Sequence, residues 1–319
     1  MQDSLEQLRD AAAAYGDHFG DTRLLPLAVA LLLHLLSLLV RAGVWRGILQ
    51  AAFPDRRVAL RSAVWSYLAG VGGNAIAPFR GGDVLRIFTI RRELGDVSVT
   101  TIVSTLVAET AFGVIVVGLM VAATVGLGWL PPIVHLPDAK AFEFSFYARH
   151  AGLVAIALAA LLIAVFAAAE WAMHHLRGFW LRFTAGMRIL RSPGRFARAV
   201  AAPQLVDWAL RVGTAFAMLA AFGIPPGVRY AVLAVVIDSV STALPVTPGG
   251  IGAQQGLLVF ALAGVATSGQ VLAYSIGAQA VIMAFNVLLG LVATFVLFGH
   301  MRMSAVRREA HAWPGLDRR

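Results

Sequence analysis

The strongest constraint on the fold is a set of apolar stretches that are long enough to cross a lipid bilayer. A transmembrane helix needs about 20 predominantly apolar residues, and several stretches of this chain exceed that length. The composition agrees, because 59% of the residues are hydrophobic and 13% are charged, whereas soluble domains have about 45–50% and about 25%. The sequence therefore predicts an all-α polytopic membrane protein.

Hydropathy predicts about eight spans, which form a single transmembrane domain over residues 24–299. Between the sixth and seventh spans, the segment PVTPGGIGAQQG contains too many helix breakers to be a continuous helix. This segment could re-enter the membrane instead of crossing it. The predicted spans lie at 24–47, 58–79, 97–126, 150–175, 203–223, 228–246, 251–267 and 270–299.

The arginines predict which loops face the cytoplasm, because short cytoplasmic loops of membrane proteins are enriched in Lys and Arg. Loop 176–198 is rich in arginine and has no acidic residue, and the tail 300–319 is also basic. We therefore expect a polar cytoplasmic segment at 1–23, a basic cytoplasmic tail and a location in the bacterial inner membrane. Four arginines around the first loop do not fit this orientation, because a layout of eight spans places that loop outside the cell. Either the loop re-enters the membrane, or the first spans are drawn wrongly. These residues are Arg46, Arg56, Arg57 and Arg61.

Several classes of function are excluded by composition. Residues 1–23 have no basic region before an apolar one, so no cleaved signal peptide is expected. The chain has no cysteine, which excludes disulfides, thiolate metal sites and thiol catalysis. The formal charge of +9 indicates topology and contact with anionic lipid headgroups rather than nucleic acid. No metal, no cofactor and no ATP-binding motif is expected.

Loop 176–198 also has aromatic and apolar residues at spacings of three and four between its arginines. This pattern is typical of a helix that lies in the headgroup plane. It suits either a loop that sets topology or a surface that recognises lipid. The residues are Phe179, Trp180, Phe183, Met187 and Leu190.

Glu109 and Asp238 are predicted near the middle of the membrane, where an ionisable residue costs about 2.5–3.5 kcal/mol. No opposite charge accompanies either residue on its own helix, which makes both candidates for a polar lining or a protonatable coupling site. Pairing with Arg41 or Arg211 across helices is the alternative. Asp207 and Arg211 are four residues apart and can neutralise each other within one helix.

The first breaker motif is GGNAIAPFRGGDVLRIF, residues 72–88. Its proline and glycines are expected to break a helix, and lipid cannot satisfy the backbone groups that a break frees. Arginines beside freed N–H groups form a natural phosphate receptor. The single aspartate of the motif can pair with only one arginine, so the receptor is expected to carry a net positive charge. The predicted substrate-binding residues are Asn74, Pro78, Arg80, Gly82, Asp83 and Arg86.

The second breaker motif is STALPVTPGGIGAQQG. Aligning Pro78 with Pro245 places Asn74 over Ser241, and a Gly-Gly pair follows each proline. Two interrupted segments in corresponding halves indicate a transporter-type site at a repeat interface, and the predicted topology makes the repeat parallel. Plain turns are the alternative, but they do not explain the polar residues of the first motif. The predicted substrate-binding residues here are Pro245, Thr247, Pro248, Gly249, Gly250 and Gln255.

Together the motifs resemble the membrane domain of lysylphosphatidylglycerol synthase/flippase-like proteins. That family typically has N-x3-P-x-R-x-G-E-x2-R and later P-x-T-P-G-G-x-G-x-x-E. This chain has Asp83 and Gln255 at the two Glu positions, and Thr110 follows Glu109 where the family often has Arg. The resemblance implies an α-helical fold of about eight spans with re-entrant pieces, and a role in moving or presenting polar lipids. The family's aminoacyl-transferase domain has no counterpart in this sequence, so synthesis of lysyl-lipid is not expected.

These features favour a lipid flippase or transporter that moves or presents an anionic or phosphate-bearing lipid. The alternative is a non-transporting partner of a lipid, hopanoid or polyprenyl-glycan synthesis complex, as a homo-oligomer or bound to a synthesis enzyme. An intramembrane lipid-diphosphate phosphatase is less favoured, because no candidate nucleophile has an adjacent base in the sequence. We therefore expect no catalytic residue.

Overall fold

The computed structural model describes residues 23–77, 81–95, 97–129, 183–243 and 253–298. Within these ranges the chain forms helices and turns and no strand, which confirms the predicted all-α class. The longer helices are α1 (Leu24–Ala52), α2 (Leu60–Ile76), α3 (Gly81–Leu94), α4 (Val99–Gly126), α5 (Ala202–Ala221), α6 (Val228–Ala243), α7 (Ala253–Ala261) and α8 (Ser268–Phe298).

Three of the described helices, α1, α4 and α8, are long and apolar enough to cross a membrane. The chain is therefore an integral membrane protein. The predicted span 251–267 is too long, because α7 has nine residues and extends for only about 13 Å at about 1.5 Å per residue. The predicted span 150–175 lies outside the described residues.

Helices α1 and α5 pack side by side in opposite directions. The N–H of Arg23 donates to the carbonyl of Ala221 at 2.9 Å, and Gly47 faces Ala199 near the other end of α1. Many arginines of the described residues lie at this second end, which we call the arginine-rich end. They are Arg46, Arg56, Arg57, Arg61, Arg91, Arg92, Arg188, Arg195 and Arg198.

Helices α2 and α3 form an antiparallel hairpin, the first hairpin, that starts and finishes at the arginine-rich end. Ser62 donates to Glu93 at 2.8 Å near that end, while Gly82 at the start of α3 lies against Gly70 and Gly73 of α2. Helix α3 was not predicted from the sequence, because its charged residues resemble those of a loop. The hairpin returns the chain to one end, which explains why the arginines of loop 53–59 did not fit eight spans.

Helices α6 and α7 form a second hairpin that starts and finishes at the opposite end. Residues that follow α5 and α7, including Ile224 and Leu262, share one apolar cluster there, and Arg229 donates to the carbonyl of Trp129 at 2.6 Å. The two hairpins therefore enter the bundle from opposite ends. The turns at their tips include residues 78–80 and 244–252, which lie outside the described ranges.

Helices α1 and α8 run in the same direction. Tyr274, near the start of α8, contacts Phe222 with 6.1 Å between ring centroids, and Leu297 packs near the arginine-rich end with Leu49 and Val58. The start of α1 at Leu24 and the end of α8 at Phe298 thus lie at opposite ends of the bundle. This arrangement does not fit the prediction of an even number of spans with both termini in the cytoplasm. The predicted terminal segments 1–22 and 299–319 lie outside the described residues.

Residues 183–201 do not form the single headgroup-plane helix that the spacing predicts. A 3-10 turn at Arg188–Arg191 is followed by a helical turn at Pro193–Phe196 and a π-helical turn at Ala197–Ala201. The breaks follow from Gly186, which lies directly against Ser104 of α4, and from Pro193. Ile189 is buried with Val44 and Ala108, so this segment is part of the bundle. Phe179 and Trp180 lie outside the described residues.

The contacts among the helices repeat between the two halves of the chain. Contacts α1–α2, α2–α3, α3–α4, α1–α4 and α2–α8 in the first half have the counterparts α5–α6, α6–α7, α7–α8, α5–α8 and α6–α4. The most extensive contact, α1–α5, joins the two halves and is its own counterpart. The two hairpins that correspond in this pairing enter the bundle from opposite ends.

Candidate functional site

A cavity of about 440 Å³ lies between α1, α3, α4, α5 and α6. It is bordered by the start of α3, which follows the first breaker motif, and by the last turns of α6, which precede the second. Its apolar wall comes mainly from α4. Its polar lining residues are Arg41, Asp83, Arg86, Glu109, Thr110, Gln204, Asp207, Arg211, Asp238 and Ser239.

Arg86 lies at the centre of one polar cluster. Its Nη2 atom is 2.6 Å from Oε2 of Glu109, and the side chains of the two residues are only 8% and 11% exposed. The guanidinium carbon lies 3.8 Å from the ring centroid of Trp45 and 4.2 Å from that of Tyr67. Aromatic faces attract cations, and Trp45 is fixed in turn by donating to Thr105 at 3.0 Å. Arg86 is therefore held in one position by charge and by two rings.

A second ion pair lies on α5 and is anchored to α1 by a hydrogen bond. Arg211 lies 3.1 Å from Asp207 on the same helix, which confirms the predicted pairing, and its guanidinium stacks on Trp208 at 4.6 Å. The hydroxyl of Ser37 donates a short hydrogen bond to Asp207. This pair is thus compensated within its own helix and anchored to α1.

Arg41 lines the cavity between these two ion pairs. Its guanidinium lies over the ring of Tyr67 at 5.5 Å, and it has no ion pair with a carboxylate of the described residues. Asp207 and Glu109 are close enough to interact with it electrostatically. Arg41 is therefore the lining arginine whose charge is not committed to one partner within the described part of the chain.

Asp238 approaches the cavity from the second hairpin. Nε2 of Gln254 on α7 donates to its carboxylate at 3.2 Å. Ser241, one turn further along α6, is buried, and its hydroxyl has no hydrogen-bond partner. The Oε1 atom of Gln254 is also buried and without a partner. The second hairpin therefore contributes the carboxylate of Asp238 to the cavity, while the first contributes the carboxylate of Asp83 and the guanidinium of Arg86.

A family model described as the lysylphosphatidylglycerol synthase TM region matches residues 18–290 of the chain. The chain belongs to this family. The match includes both breaker motifs and the described helices α1 to α7 with most of α8. Comparisons with curated proteins and with solved structures found no match.

Four of the predicted site residues line the cavity of this family member: Asp83, Arg86, Glu109 and Asp238. Asn74 is nearby, because it donates to Asp83 at 3.1 Å. Gln255 is buried outside the lining, and its neighbour Gln254 contacts Asp238. The remaining predicted residues outside the described ranges are Pro78, Arg80, Pro245, Thr247, Pro248, Gly249 and Gly250.

Gly82 is placed at a contact between helices and not at the cavity wall. A Cβ atom there would overlap the carbonyl oxygen of Gly70 and the backbone N of Asn74. The family motif therefore requires glycine at this position for the close approach of α3 to α2 in this structure. A direct contact with substrate is not needed to explain it.

Sequence reasoning missed most of the α5 face. Gln204, Asp207, Trp208 and Arg211 all line the cavity, and their spacing of three and four places them on one helical face. That spacing was available in the sequence but was interpreted only as one ion pair. Trp45 and Tyr67 carried no comparable signal, because aromatic residues are common in apolar helices.

The charge of the site differs from the expected net positive receptor. The described lining residues contain three arginines and four carboxylates, and Arg86 and Arg211 are each paired with a carboxylate. Glu109 is therefore paired across helices with Arg86, and the predicted alternatives, Arg41 and Arg211, do not fill this role. The described lining residues are therefore a nearly balanced set of charges.

Proposed function

We propose that this chain moves a polar, phosphate-bearing lipid across the bacterial inner membrane, with the lipid headgroup in the cavity. The observation that carries the proposal is the meeting of three arginines and four carboxylates at one cavity in an apolar bundle. Ionisable groups inside a membrane are costly and mark the paths of substrates or ions. The cavity volume, about 440 Å³, is within the usual range of about 300–1,000 Å³ for small-molecule sites.

Arg41 is our first candidate for contact with the headgroup phosphate. A guanidinium binds phosphate through two parallel hydrogen bonds, and the other lining arginines of the described chain are engaged by Glu109 and Asp207. Arg80, the residue that the first motif predicts, remains a second candidate. Arg86, held between two rings, would support Glu109 and the wall of the site.

An inverted internal repeat would give such a cavity access to both sides of the membrane. Many transporters consist of two inverted halves with interrupted helices at the centre, and they alternate by moving one half against the other. The opposed hairpins and the matched helix contacts of this chain support that arrangement in place of the parallel repeat. In this proposal the eight helices form two four-helix halves, α1–α4 and α5–α8.

The proposed orientation has the arginine-rich end in the cytoplasm. Loops 53–59 and 95–98 and the segment that precedes α5 all lie at that end, which is consistent with the enrichment of arginine in cytoplasmic loops. At the other end, the described residues contain Arg23 and Arg229. The start of α1 would then face away from the cytoplasm.

Lipid movement by purified protein in liposomes tests the proposal. Vesicles containing fluorescent phosphatidylglycerol are treated with an impermeant quencher, and the rate at which inner-leaflet lipid becomes accessible is measured. We expect Arg41→Gln to slow this movement at least tenfold with unchanged folding. Arg195→Gln is the matched control, because Arg195 is exposed at the arginine-rich end and does not line the cavity.

Two results would contradict the proposal in different ways. Equal rates of lipid movement for Arg41→Gln and the unmodified protein would show that Arg41 does not bind the headgroup. Stoichiometric binding of lipid with no movement above that of protein-free vesicles would favour a non-transporting partner in lipid synthesis.

A further inference from the structure

We infer that His34 of α1 binds a proton when an anionic headgroup enters the cavity, so that lipid and proton binding strengthen each other. The inference rests on the proposed contact of the headgroup phosphate with Arg41, and it adds a proton as a second ligand. Three observations carry it: the place of His34 on α1, the hydrogen bond that holds its ring, and the charges around it.

His34 lies on the face of α1 that leads to the cavity. His34, Ser37 and Arg41 follow one another at spacings of three and four residues, which places them on one helical face. Ser37 donates to Asp207 of α5, and Arg41 lines the cavity. A polar stripe therefore runs from His34 past the Asp207–Arg211 pair to the proposed phosphate contact.

The ring of His34 is held by a hydrogen bond to α8. Its Nε2 atom lies 2.8 Å from Oδ1 of Asn286, and the ring of Phe285 lies beside it with 6.2 Å between centroids. An amide oxygen only accepts hydrogen bonds, so Nε2 carries the hydrogen and Nδ1 keeps its lone pair. A proton can therefore add at Nδ1 without breaking the bond to Asn286.

The charged neighbours of His34 in the described structure have a net positive charge. They are Arg41 on the same helix and Asp207 and Arg211 on α5, while α8, Ser268–Phe298, contains no charged residue. A proton on His34 would add a third positive charge to this group. Histidine is also unusual within a spanning helix, where chains of ionisable groups mark proton relays.

A phosphate bound at Arg41 would change this balance of charge. Its negative charge would leave two arginines against two anions, and one more positive charge would then be compensated. His34 and Arg41 are about 10 Å apart along the helix. At that distance, and at the effective dielectric constant of a protein, one unit charge changes the binding of another by about tenfold. Because this coupling is reciprocal, a proton on His34 would also strengthen lipid binding.

Proton binding at His34 would link the proposed lipid movement to a proton gradient. His34 lies in the half of α1 that is nearer to Leu24. In the proposed orientation this half faces away from the cytoplasm, which is the side from which the proton gradient of a bacterial membrane drives protons inward. A proton taken up there together with a lipid would couple the movement of the two.

Linked binding is measured on the full chain in detergent, with short-chain phosphatidylglycerol as the probe. Titration calorimetry gives its affinity between about pH 5.5 and pH 8, where histidine changes charge and the phosphodiester of the probe does not. Buffers of different ionisation enthalpy give the number of protons taken up. We expect proton uptake on binding and an affinity that falls as the pH rises, by about tenfold per pH unit at most for one proton.

His34→Gln is the decisive variant, because glutamine keeps an N–H donor for Asn286 but cannot take up a proton. It should bind the probe without proton uptake and with an affinity that does not depend on pH. Asn286→Leu is the matched control, because it removes the hydrogen bond and leaves the imidazole, so the pH dependence should remain. If His34→Gln does not fold, His34→Met gives the same measurement.

Two outcomes would overturn the inference. One is binding of the probe with no proton uptake, or with the same uptake in His34→Gln as in the unmodified protein. The other is loss of the pH dependence in Asn286→Leu but not in His34→Gln, because His34 would then serve only to join α1 to α8.

The result is separable from that of the lipid experiment. Binding without proton uptake, in a protein that moves lipid, would reject the proton site alone. Proton-linked binding by a protein that moves no lipid between leaflets would reject the proposed movement alone. A protein that does not bind the probe at all would reject both.

Discussion

The two hairpins of this bundle contain similar breaker motifs but differ in how closely their helices pack. The first hairpin is closely packed, with glycine against glycine between α2 and α3 and Arg86 fixed by Glu109 and two rings. The second has a short arm of nine residues, and Gly256 on that arm has open space around it. The difference indicates that the first hairpin is the more tightly packed of the two.

The glycines give the largest expected difference between the hairpins. Gly82→Ala places a methyl group on the carbonyl oxygen of Gly70, and backbone atoms cannot rotate away as a side chain can. We expect destabilisation by about 3 kcal/mol or more, at the upper end of the cost of overpacking. Unfolding in detergent with increasing dodecyl sulfate measures it.

Gly256→Ala is the corresponding change in the second hairpin. Gly256 lies on α7 with open space around it, so alanine should stabilise the helix by about 0.5–1 kcal/mol. Equal destabilisation by both substitutions would contradict the contrast in packing.

The next largest effect is expected for the buried ion pair. Glu109→Gln leaves the guanidinium of Arg86 without its carboxylate, and breaking a buried pair costs about 3–5 kcal/mol. Because the two side chains are 11% and 8% exposed, we expect a value near the lower limit. The same unfolding assay measures it.

The double variant Arg86→Met with Glu109→Gln provides the control for this pair. Removing both charges should recover part of the lost stability. Additive losses in the double variant would mean that the pair contributes no coupling, and Arg86 would then be free to contact substrate.

A moderate effect is expected for the ring beneath Arg41 and Arg86. Tyr67→Leu keeps an apolar side chain but removes the aromatic face, and a cation–π contact contributes about 0.5–2 kcal/mol depending on desolvation. Tyr67→Phe is the matched control, because it keeps the ring and removes only the hydroxyl, which contacts Glu109 at 3.4 Å and Arg41. Equal melting temperatures for the two variants would show that the cation–π contacts do not contribute to stability.

The smallest effect is expected for Asn74→Ala. Asn74 is exposed and donates one hydrogen bond to Asp83 at 3.1 Å, so its loss should cost about 0.5–1 kcal/mol. If Asn74 instead contacts the lipid headgroup, lipid movement would fall severalfold while the melting temperature changed little. Measuring both quantities on one preparation separates the two roles.

The sequence predicted the class, the family and four cavity residues, because these depend on local composition and on motifs. The apolar helices α1, α4 and α8 followed from hydropathy. Glu109 and Asp238 were found because charge is rare in such helices. Each of these features is visible within a short window of sequence.

What the sequence could not predict depends on contacts between distant segments. Helix α3 was missed because its charges are neutralised across helices, as Arg86 is by Glu109, and hydropathy of one segment cannot register a partner 23 residues away. The direction of the first hairpin was open for the same reason. The stacking of Arg86 on Trp45 and Tyr67 joins three helices, and no spacing within one helix encodes it.

Cysteine labelling shows directly whether the two hairpins enter the membrane from opposite sides. The chain has no native cysteine, so single substitutions can be labelled with an impermeant maleimide in intact cells and in inverted vesicles. We expect Asp55→Cys and Ser98→Cys, which flank the first hairpin, to react from the cytoplasmic side. Gly227→Cys and Ala266→Cys, which flank the second, should react from the other side. Labelling of Asp55→Cys and Ser98→Cys from opposite sides would show that α2 and α3 cross the membrane and do not form a hairpin that returns to one side.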